Sequence, residues 1–143
     1  MSSLEVLAES TFESTGATTV LALLDARMNQ IYAGAWTKSD AGWQSPFEPC
    51  LVNPDELDQL PALPKPYVAA GTGIDEYPPA KAWLDKQEVA DAGVRYPSAV
   101  ALARLGAIRF AAGLLTDPAD AIPVYVRDRV ALTTAERAAG ESL

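Results

Sequence analysis

The chain has 143 residues, 49% of them hydrophobic and 21% charged, with a formal charge of −8, one cysteine and no histidine. This composition fits one globular domain, and the lack of histidine excludes a Ser-His-Asp or Cys-His catalytic arrangement and any histidine-ligated zinc site within these residues. The acidic charge argues against direct binding of RNA or DNA, which depends on Lys and Arg replacing counterions, and no apolar run approaches the roughly 20 residues that span a membrane.

The start of the chain and its single cysteine bear on the cellular compartment. The residues after Met1 lack the basic start and apolar centre of a secretory signal, so a cytoplasmic location is expected. Cys50 has no internal disulfide partner, which agrees with a reducing compartment. A nucleophilic Cys50 would need an activating base, and the chain contains no histidine to supply one. We therefore interpret Cys50 as a packing residue.

The first predicted elements are a helix and a β-hairpin. Ser2 and Glu5 have capping-box spacing and apolar residues follow at helical intervals, which predicts a helix to about Ser14. Val20–Leu24 and Gln30–Thr37 predict two strands joined by a five-residue connection. Neither strand alternates between apolar and polar residues. Both faces of the sheet should therefore be covered by helices.

The hairpin connection contains two charged residues, Asp25 and Arg27. Asp25 and Asn29 suit a turn, because their side chains bond nearby backbone and asparagine tolerates left-handed dihedral angles. We interpret Asp25 and Arg27 as turn residues that face water or each other, since exposed ion pairs are common and contribute only about 0 to 1 kcal/mol. A role for this pair in chemistry is the alternative.

The middle of the chain contains an edge strand and a helix-start signal. Trp43–Val52 predicts a third strand, and its two prolines each remove a ladder donor, which places it at an edge of the sheet. Asn53 at the N-cap position, followed by Pro54 and two acidic residues, predicts a short helix to about Leu60.

A predicted buried strand, Tyr67–Ala70, is followed by a glycine-rich turn, Gly71-Thr72-Gly73. Gly-x-Gly after a strand can bring backbone amides close to a phosphate. This turn lacks the further glycine of a dinucleotide fingerprint and the Lys-Ser/Thr of a P-loop, so a plain turn is favoured. A nucleotide-binding module that uses this turn with Asp25 or Asp75 is the alternative.

Two more helices are predicted in the C-terminal half. Pro79–Lys86 predicts a short helix that carries Ala82 and Trp83 to the core, and the connection after it holds one short strand at most. Ser98–Leu115 predicts the longest helix, which is nearly apolar on all sides. Its alanines and glycines suit close packing against a sheet or another helix.

The last part of the chain predicts one extended segment and a tail. Ile122–Val126 reads as extended chain, and the small and polar residues from Thr133 onward are expected to be poorly ordered. Neither a repeat nor a second domain is indicated.

Four segments of the chain carry a family resemblance. They read VLALLDARMNQIYAG, YVAAGTG, YPSAVALA and, near the end, IPVYVRDRVA. Together they resemble the C-terminal half of the TsaB (YeaZ) family, which are bacterial tRNA threonylcarbamoyladenosine biosynthesis proteins related to actin-like ATPases and once grouped with the M22 glycoproteases. The resemblance runs from Ser2 to about Glu136. The lobe that precedes it in the family, with an Asp-Thr-Ser motif, is absent here, which favours a fragment over a natural short homologue.

The resemblance implies both a fold and a function. The fold is an RNase H-like α/β lobe, residues 1–132, with a mixed sheet, an antiparallel three-strand meander and helices on both faces, followed by a flexible tail, residues 133–143. The function is that of a noncatalytic scaffold and activator in the complex that adds threonylcarbamoyl to the adenosine next to the tRNA anticodon. A TsaD-like catalytic subunit and a TsaE-like ATPase are the implied partners.

The resemblance implies that the catalytic metal and nucleotide site belong to the TsaD-like subunit, and the residue inventory agrees, so no catalytic, cofactor-binding or metal-binding residues are expected in this lobe. The composition described above predicts no direct contact with nucleic acid or with a membrane. Loss of the preceding lobe would bare apolar surface beside the opening helix or the long one, so a homodimer is expected. Two other functions stay open. One is a nucleotide-binding or M22-type enzyme module, and the other is an interaction domain that shares only the fold.

Overall fold

The computed structural model describes residues 1–123 and 125–127, and within these residues six strands form one mixed sheet. The strands are β1 (Thr19–Asp25), β2 (Ile31–Ser39), β3 (Gly42–Gln44), β4 (Cys50–Val52), β5 (Val68–Ala70) and β6 (Ala90–Asp91). The helices in the same residues are α1 (Ser3–Thr15), α2 (Gly73–Glu76), α3 (Pro78–Lys86) and α4 (Ala99–Ala111), with short 3₁₀ turns at Leu57–Gln59 and Pro118–Asp120.

The hairpin of β1 and β2 lies at the centre of the sheet, as predicted. The two strands pair antiparallel along the whole of β1, from Thr19 opposite Thr37 to Asp25 opposite Ile31. β3 and β4 pair antiparallel with β2, while β5 lies parallel to β1 and β6 parallel to β5. The strand order is β3-β2-β1-β5-β6, with β4 also beside β2. The predicted mixed sheet with an antiparallel meander is confirmed.

The predicted third strand is divided in two. Only Gly42–Gln44 and Cys50–Val52 pair with β2, and the residues between them leave the ladder. That interruption contains both prolines, which cannot donate to a neighbouring strand. The predicted edge position is confirmed and the continuous strand is wrong.

Helices cover both faces of the sheet, as the strand composition predicted. On one face α1 buries Leu4, Leu7 and Ala8 against Val20 and other residues of the sheet. On the opposite face Ile74 of α2 and Leu84 of α3 join Leu21 and Leu23 of β1 in the larger core. Both faces of β1 therefore contribute to the core.

Helix α1 begins and ends where the sequence predicts. The Ser2 side chain accepts a hydrogen bond from Glu5 N at 3.1 Å, and Gly16 ends the helix with a φ of 75°. The Glu5 carboxylate accepts a hydrogen bond from Arg109 at 2.7 Å and not from the backbone N–H of Ser2, as a full capping box would require. Only one half of the expected capping box is therefore used, because the glutamate joins α1 to α4.

A second contact fixes α1 to the edge of the sheet. Glu9 is buried, and its carboxylate accepts from Lys38 at 2.6 Å and from the indole N–H of Trp43. The Lys38 ammonium also lies 3.9 Å from the centre of the Phe12 ring. A buried carboxylate is tolerated here because a cation and a neutral donor both face it.

The predicted helix after Asn53 is wrong. The Asn53 amide donates to the Glu56 carboxylate at 2.7 Å, and Asn53 O accepts from Glu56 N at 3.0 Å, which closes a turn. A 3₁₀ turn at Leu57–Gln59 follows. The segment ends at Pro61, which leaves too few residues for the costly first turn of an α-helix to be repaid by further turns.

The predicted core residues of α3 are partly wrong. Ala80 and Leu84 are buried, Trp83 is half-buried against the same core, and Ala82 is exposed. Ala80 and Leu84 lie four residues apart and share one helix face, whereas Ala82 lies on the opposite side.

Helix α4 is shorter and more exposed than predicted. It ends at Ala111, before Gly113 with its φ of 69°, and it buries only Ala101 and Leu105. Those two residues pack with Val6 of α1, so close packing against another helix is confirmed on one side. The rest of its surface leaves large apolar side chains exposed: Val100, Leu102, Ile108 and Phe110.

Two predictions fall wholly or partly outside the described residues. The extended segment Ile122–Val126 is partly outside, because Val124 is not described, and the tail 133–143 is wholly outside. Ile122 and Tyr125, which are described, are exposed. Among the described helices, none has the length and apolar character that crossing a membrane requires.

Candidate functional site

The sheet brings the hairpin connection and the glycine-rich turn to the same edge. Asp25 is the last residue of β1, and Gly71-Thr72-Gly73 follows β5, the parallel neighbour of β1. The carboxyl ends of parallel strands meet at one edge, which is where ligands bind in many α/β proteins. Asp25 N donates to the Thr72 hydroxyl at 3.0 Å, which joins the two segments directly.

The carboxylate of Asp25 is held by three donors. The Tyr77 hydroxyl and the backbone N–H of Arg27 each donate to Oδ1 at 2.7 Å, and the Arg27 guanidinium lies 3.1 Å from Oδ2. The Tyr77 hydrogen bond, followed by the contacts with Arg27, holds the pKa of Asp25 below its ordinary value against the opposing effect of burial. The sequence left open whether Asp25 and Arg27 face water or each other, and the structure shows that they contact each other while Tyr77 also bonds to Asp25.

Burial and the neighbouring Asp25 carboxylate raise the pKa of Tyr77 above its ordinary value. Near neutral pH the pair is therefore an ionised carboxylate that accepts from a protonated phenol. A general base works best with a pKa near the working pH and with a lone pair directed at substrate. The lowered pKa of Asp25 departs from the first of these conditions.

The hairpin connection has an uncommon backbone conformation. Arg27, Met28 and Asn29 have φ values of 62°, 53° and 56°, all in the left-handed region. The turn closes on itself, because Ala26 N donates to Gln30 O at 2.9 Å and Gln30 N donates to Arg27 O at 3.1 Å. Arg127 adds contacts from the far end of the chain, since its guanidinium donates to Ala26 O at 3.0 Å.

Packing accounts for the glycine at position 71. It has a φ of 120°, and a Cβ placed there would lie 2.0 Å from Leu23 O of β1. Any side chain would collide with that strand, so glycine is needed for the close approach of backbone to backbone. This agrees with the plain turn that the sequence favoured.

Asp75, the other acidic residue considered with this turn, belongs to a separate ion-pair cluster. Its carboxylate accepts from Arg95, which also donates to Asp91 at 2.6 Å. These two carboxylates raise the pKa of Arg95, and the hydrogen bond from Arg95 lowers the pKa of Asp91. The structure therefore brings Asp25 to the glycine-rich turn and engages Asp75 elsewhere.

Cys50 lies in β4, half-buried and packed against the larger core. Burial raises the pKa of its thiol. A reactive cysteine needs the opposite shift, which keeps the thiolate populated. The interpretation as a packing residue is confirmed.

An open groove of about 930 Å³ lies beside Asp25. The first residues of α1, Tyr32 of β2 and Arg127 also line it. Within the residues that the structure describes, His, Cys, Asp and Glu side chains form no group of three or more that could hold a metal ion.

Tyr77 and Arg127 are the site residues that sequence reasoning missed. Tyr77 stands before two prolines at a helix start and has no local signal for a role. Arg127 belongs to the PVYVR segment. This segment carries part of the family resemblance, but its sequence does not indicate which residues Arg127 contacts. The hydrogen bonds that place these two residues span 52 and 101 positions of sequence.

Comparisons with known proteins agree on one group of relatives. The chain is 29% identical over 136 residues to "tRNA threonylcarbamoyladenosine biosynthesis protein TsaB" of Escherichia coli K12, a match that covers 92% of this chain and 57% of that protein. No protein-family model matches the chain.

Solved structures from Pseudomonas aeruginosa share the fold. One, described as YeaZ, is 25% identical with a TM-score of 0.70 over 87% of this chain and 58% of its own. A second, described as an uncharacterized protein similar to peptidase YEAZ, is 24% identical with a TM-score of 0.70 over 89% of this chain and 57% of its own. The chain thus spans a little over half the length of these relatives. It has their RNase H-like, actin-like ATPase fold.

Proposed function

We propose that this chain, a homologue of TsaB over most of its length, acts in tRNA threonylcarbamoyladenosine biosynthesis. Its place there is the C-terminal lobe, residues 1–132, of a noncatalytic scaffold and activator subunit. The similarity to the Escherichia coli protein over 136 residues is the observation that carries the proposal. The reaction it supports adds threonylcarbamoyl to the adenosine next to the tRNA anticodon, in the cytoplasm, with a TsaD-like catalytic subunit and a TsaE-like ATPase as partners.

The candidate site supports a scaffold role over a catalytic one. The Asp25 carboxylate already accepts from Tyr77 and Arg27, and the Thr72 hydroxyl already accepts from Asp25 N. A catalytic acid or base must exchange a proton near the working pH, whereas the pKa of Asp25 is lowered. These groups serve to hold one edge of the sheet in a single conformation.

A chimera tests the proposal. This chain replaces the matching 57% of Escherichia coli TsaB, and the purified chimera is added to the TsaD and TsaE subunits with tRNA, ATP and a preformed activated threonylcarbamoyl donor. Since the preceding lobe is restored, we expect modified adenosine above the level of a reaction without the chimera. A chimera that folds cooperatively by circular dichroism and leaves modification at that background level would contradict the proposal.

One observation favours a second function, that of a nucleotide-binding module. The glycine-rich turn and Asp25 do meet at the carboxyl edge of parallel strands, where such ligands bind. Against it, the turn is packed against Leu23 O, and the Gly71 amide that a phosphate would use already donates to Val94 O at 2.8 Å. Calorimetry with ATP and magnesium separates the two functions. Binding at micromolar affinity would favour the module, and no heat at millimolar ATP would favour the scaffold.

A further inference from the structure

We infer that Arg127 is a positioning residue that supports the hairpin connection between β1 and β2, residues 26–30 in the structure, and holds its central residues 27–29 in the left-handed conformation. The inference joins two sequence motifs, the DARM segment at the hairpin and the PVYVR segment about a hundred positions later, into one structural unit. It concerns how this edge of the molecule keeps its shape and does not depend on the proposed function.

The connection needs support from outside itself. Arg27, Met28 and Asn29 follow one another in the left-handed region, with φ values from 53° to 62°. That region is unfavourable for every residue with a Cβ, and Asn tolerates it better than Arg or Met. Such a conformation persists only where surrounding contacts over-determine it.

Arg127 supplies contacts at both ends of the connection. Its NH2 nitrogen donates to Ala26 O at 3.0 Å and to Gln30 Oε1 at 2.7 Å, with a longer contact to Arg27 O at 3.3 Å. Its NH1 nitrogen contacts the Met28 sulfur. A planar guanidinium presents its donors in one fixed fork, so several acceptors are held in place at once.

Arg127 is half-buried and lines the open groove beside Asp25. Arg127 Nε is buried and has no acceptor among the described residues. By contrast, the Arg27 side chain is 83% exposed and Met28 is 58% exposed. Arg127 thus contacts the backbone of the connection and the Met28 sulfur, while most of the Arg27 and Met28 side-chain surface stays exposed.

Hydrogen–deuterium exchange of the 143-residue chain tests this inference. The reporters are the amides of Ala26 and Gln30, which close the turn. In Arg127→Gln we expect them to exchange about tenfold faster, because charge-assisted hydrogen bonds are lost. In Arg127→Lys the exchange rates should lie between those of the wild type and Arg127→Gln, since an ammonium lacks the planar set of donors of a guanidinium. The control Arg104→Gln removes an exposed arginine paired with Glu13 and should match the wild type.

Two outcomes would overturn the inference. One is unchanged exchange at Ala26 and Gln30 in Arg127→Gln. The other is an equal acceleration of these amides and of those within the β1–β2 ladder, which would show a loss of global stability and no local positioning.

A second set of variants keeps the test decisive if Arg127→Gln folds poorly. Asn29→Gly relieves left-handed strain at one residue of the connection. If Arg127 acts by holding that conformation, its replacement should accelerate exchange at Gln30 less in the Asn29→Gly chain than in the chain with Asn29. If replacing Arg127 accelerates exchange at Gln30 by the same factor in both chains, the inference is contradicted. Gln30→Ala, which removes one acceptor of Arg127, should reproduce part of the acceleration.

Discussion

At the scale of single residues, the clearest feature is the hydrogen bond between Tyr77 and Asp25. It joins the end of β1 to the start of α3 at 2.7 Å, and it is the largest cause of the lowered pKa of Asp25. The bond also gives a role to two residues that are far apart in sequence. Asp25 is a structural acceptor, and Tyr77 is its donor.

Replacing Tyr77 by Phe should lower the free energy of unfolding by about 1–2 kcal/mol at pH 7, because a hydrogen bond to a charged group is lost. Urea denaturation followed by tryptophan fluorescence measures the change. Tyr67→Phe is the matched control, since Tyr67 is also half-buried and burial alone raises its pKa. A loss in the control as large as in Tyr77→Phe would argue against a specific role for the bond.

The same variant should alter the dependence of stability on pH. The folded pKa of Asp25 lies below the unfolded value, which is about 3.9. Its ionised form therefore stabilises the fold above the unfolded pKa, and this contribution is lost as pH falls toward the folded pKa. Tyr77→Phe should show a smaller loss of stability than the wild type between about pH 5 and pH 3. Parallel curves for the two proteins would contradict this.

At the scale of elements, the orientation of α4 is the feature that its sequence leaves most open. The helix is nearly apolar all round, so its composition does not say which side is buried. The structure buries Ala101 and Leu105 against α1 and exposes Leu102 and Ile108. The cap at Ser98 is reinforced by Ser10 of α1, whose hydroxyl accepts from Ser98 N at 2.9 Å.

Two leucines on this helix form a matched pair for testing that orientation. Leu105 is 5% exposed and Leu102 is 46% exposed. Leu105→Ala should lower the free energy of unfolding by about 2–3 kcal/mol, because it opens a cavity between α1 and α4. Leu102→Ala should change it by less than about 0.5 kcal/mol. Urea denaturation of both variants checks the pair, and equal losses would mean that another face of α4 is buried.

At the scale of the whole molecule, the exposed side of α4 is the main apolar surface. Ile108 is 60% exposed and Phe110 is 70% exposed, and the segment after the helix adds Leu114 and Leu115. Large exposed apolar patches mark interaction sites, and these side chains lie on more than one side of the helix, because Ile108 and Phe110 are only two residues apart. The surface lies on the long helix, one of the two places where the sequence led us to expect it.

We predict that the isolated chain self-associates through this surface. In sedimentation velocity the apparent mass should rise with concentration for the wild type, and replacing both Ile108 and Phe110 by Ser should keep the chain monomeric. Met28→Ser removes an exposed apolar side chain elsewhere, on the hairpin connection, and should associate like the wild type. A monomeric wild type at the highest concentration would count against the prediction.

The features that the sequence by itself determined are those that depend on neighbouring residues. Apolar periodicity predicts the hairpin, and a serine cap and a left-handed glycine mark the start and end of α1. Strands without alternation indicate that helices cover both faces of the sheet. The helix predicted after Asn53 is one exception, beside the divided third strand and the shorter α4. The side chains of Asn53 and Glu56 bond to each other, and the segment is too short for a helix.

Only the tertiary structure decided which distant residues meet. Thr72, Tyr77 and Arg127 reach the hairpin across 47, 52 and 101 positions, and α4 turns Leu105 inward because α1 lies there. A local pattern specifies the conformation of a short segment. The choice of partners depends on how the sheet and helices pack, and neither a lone tyrosine nor an arginine near the end of the chain encodes that locally.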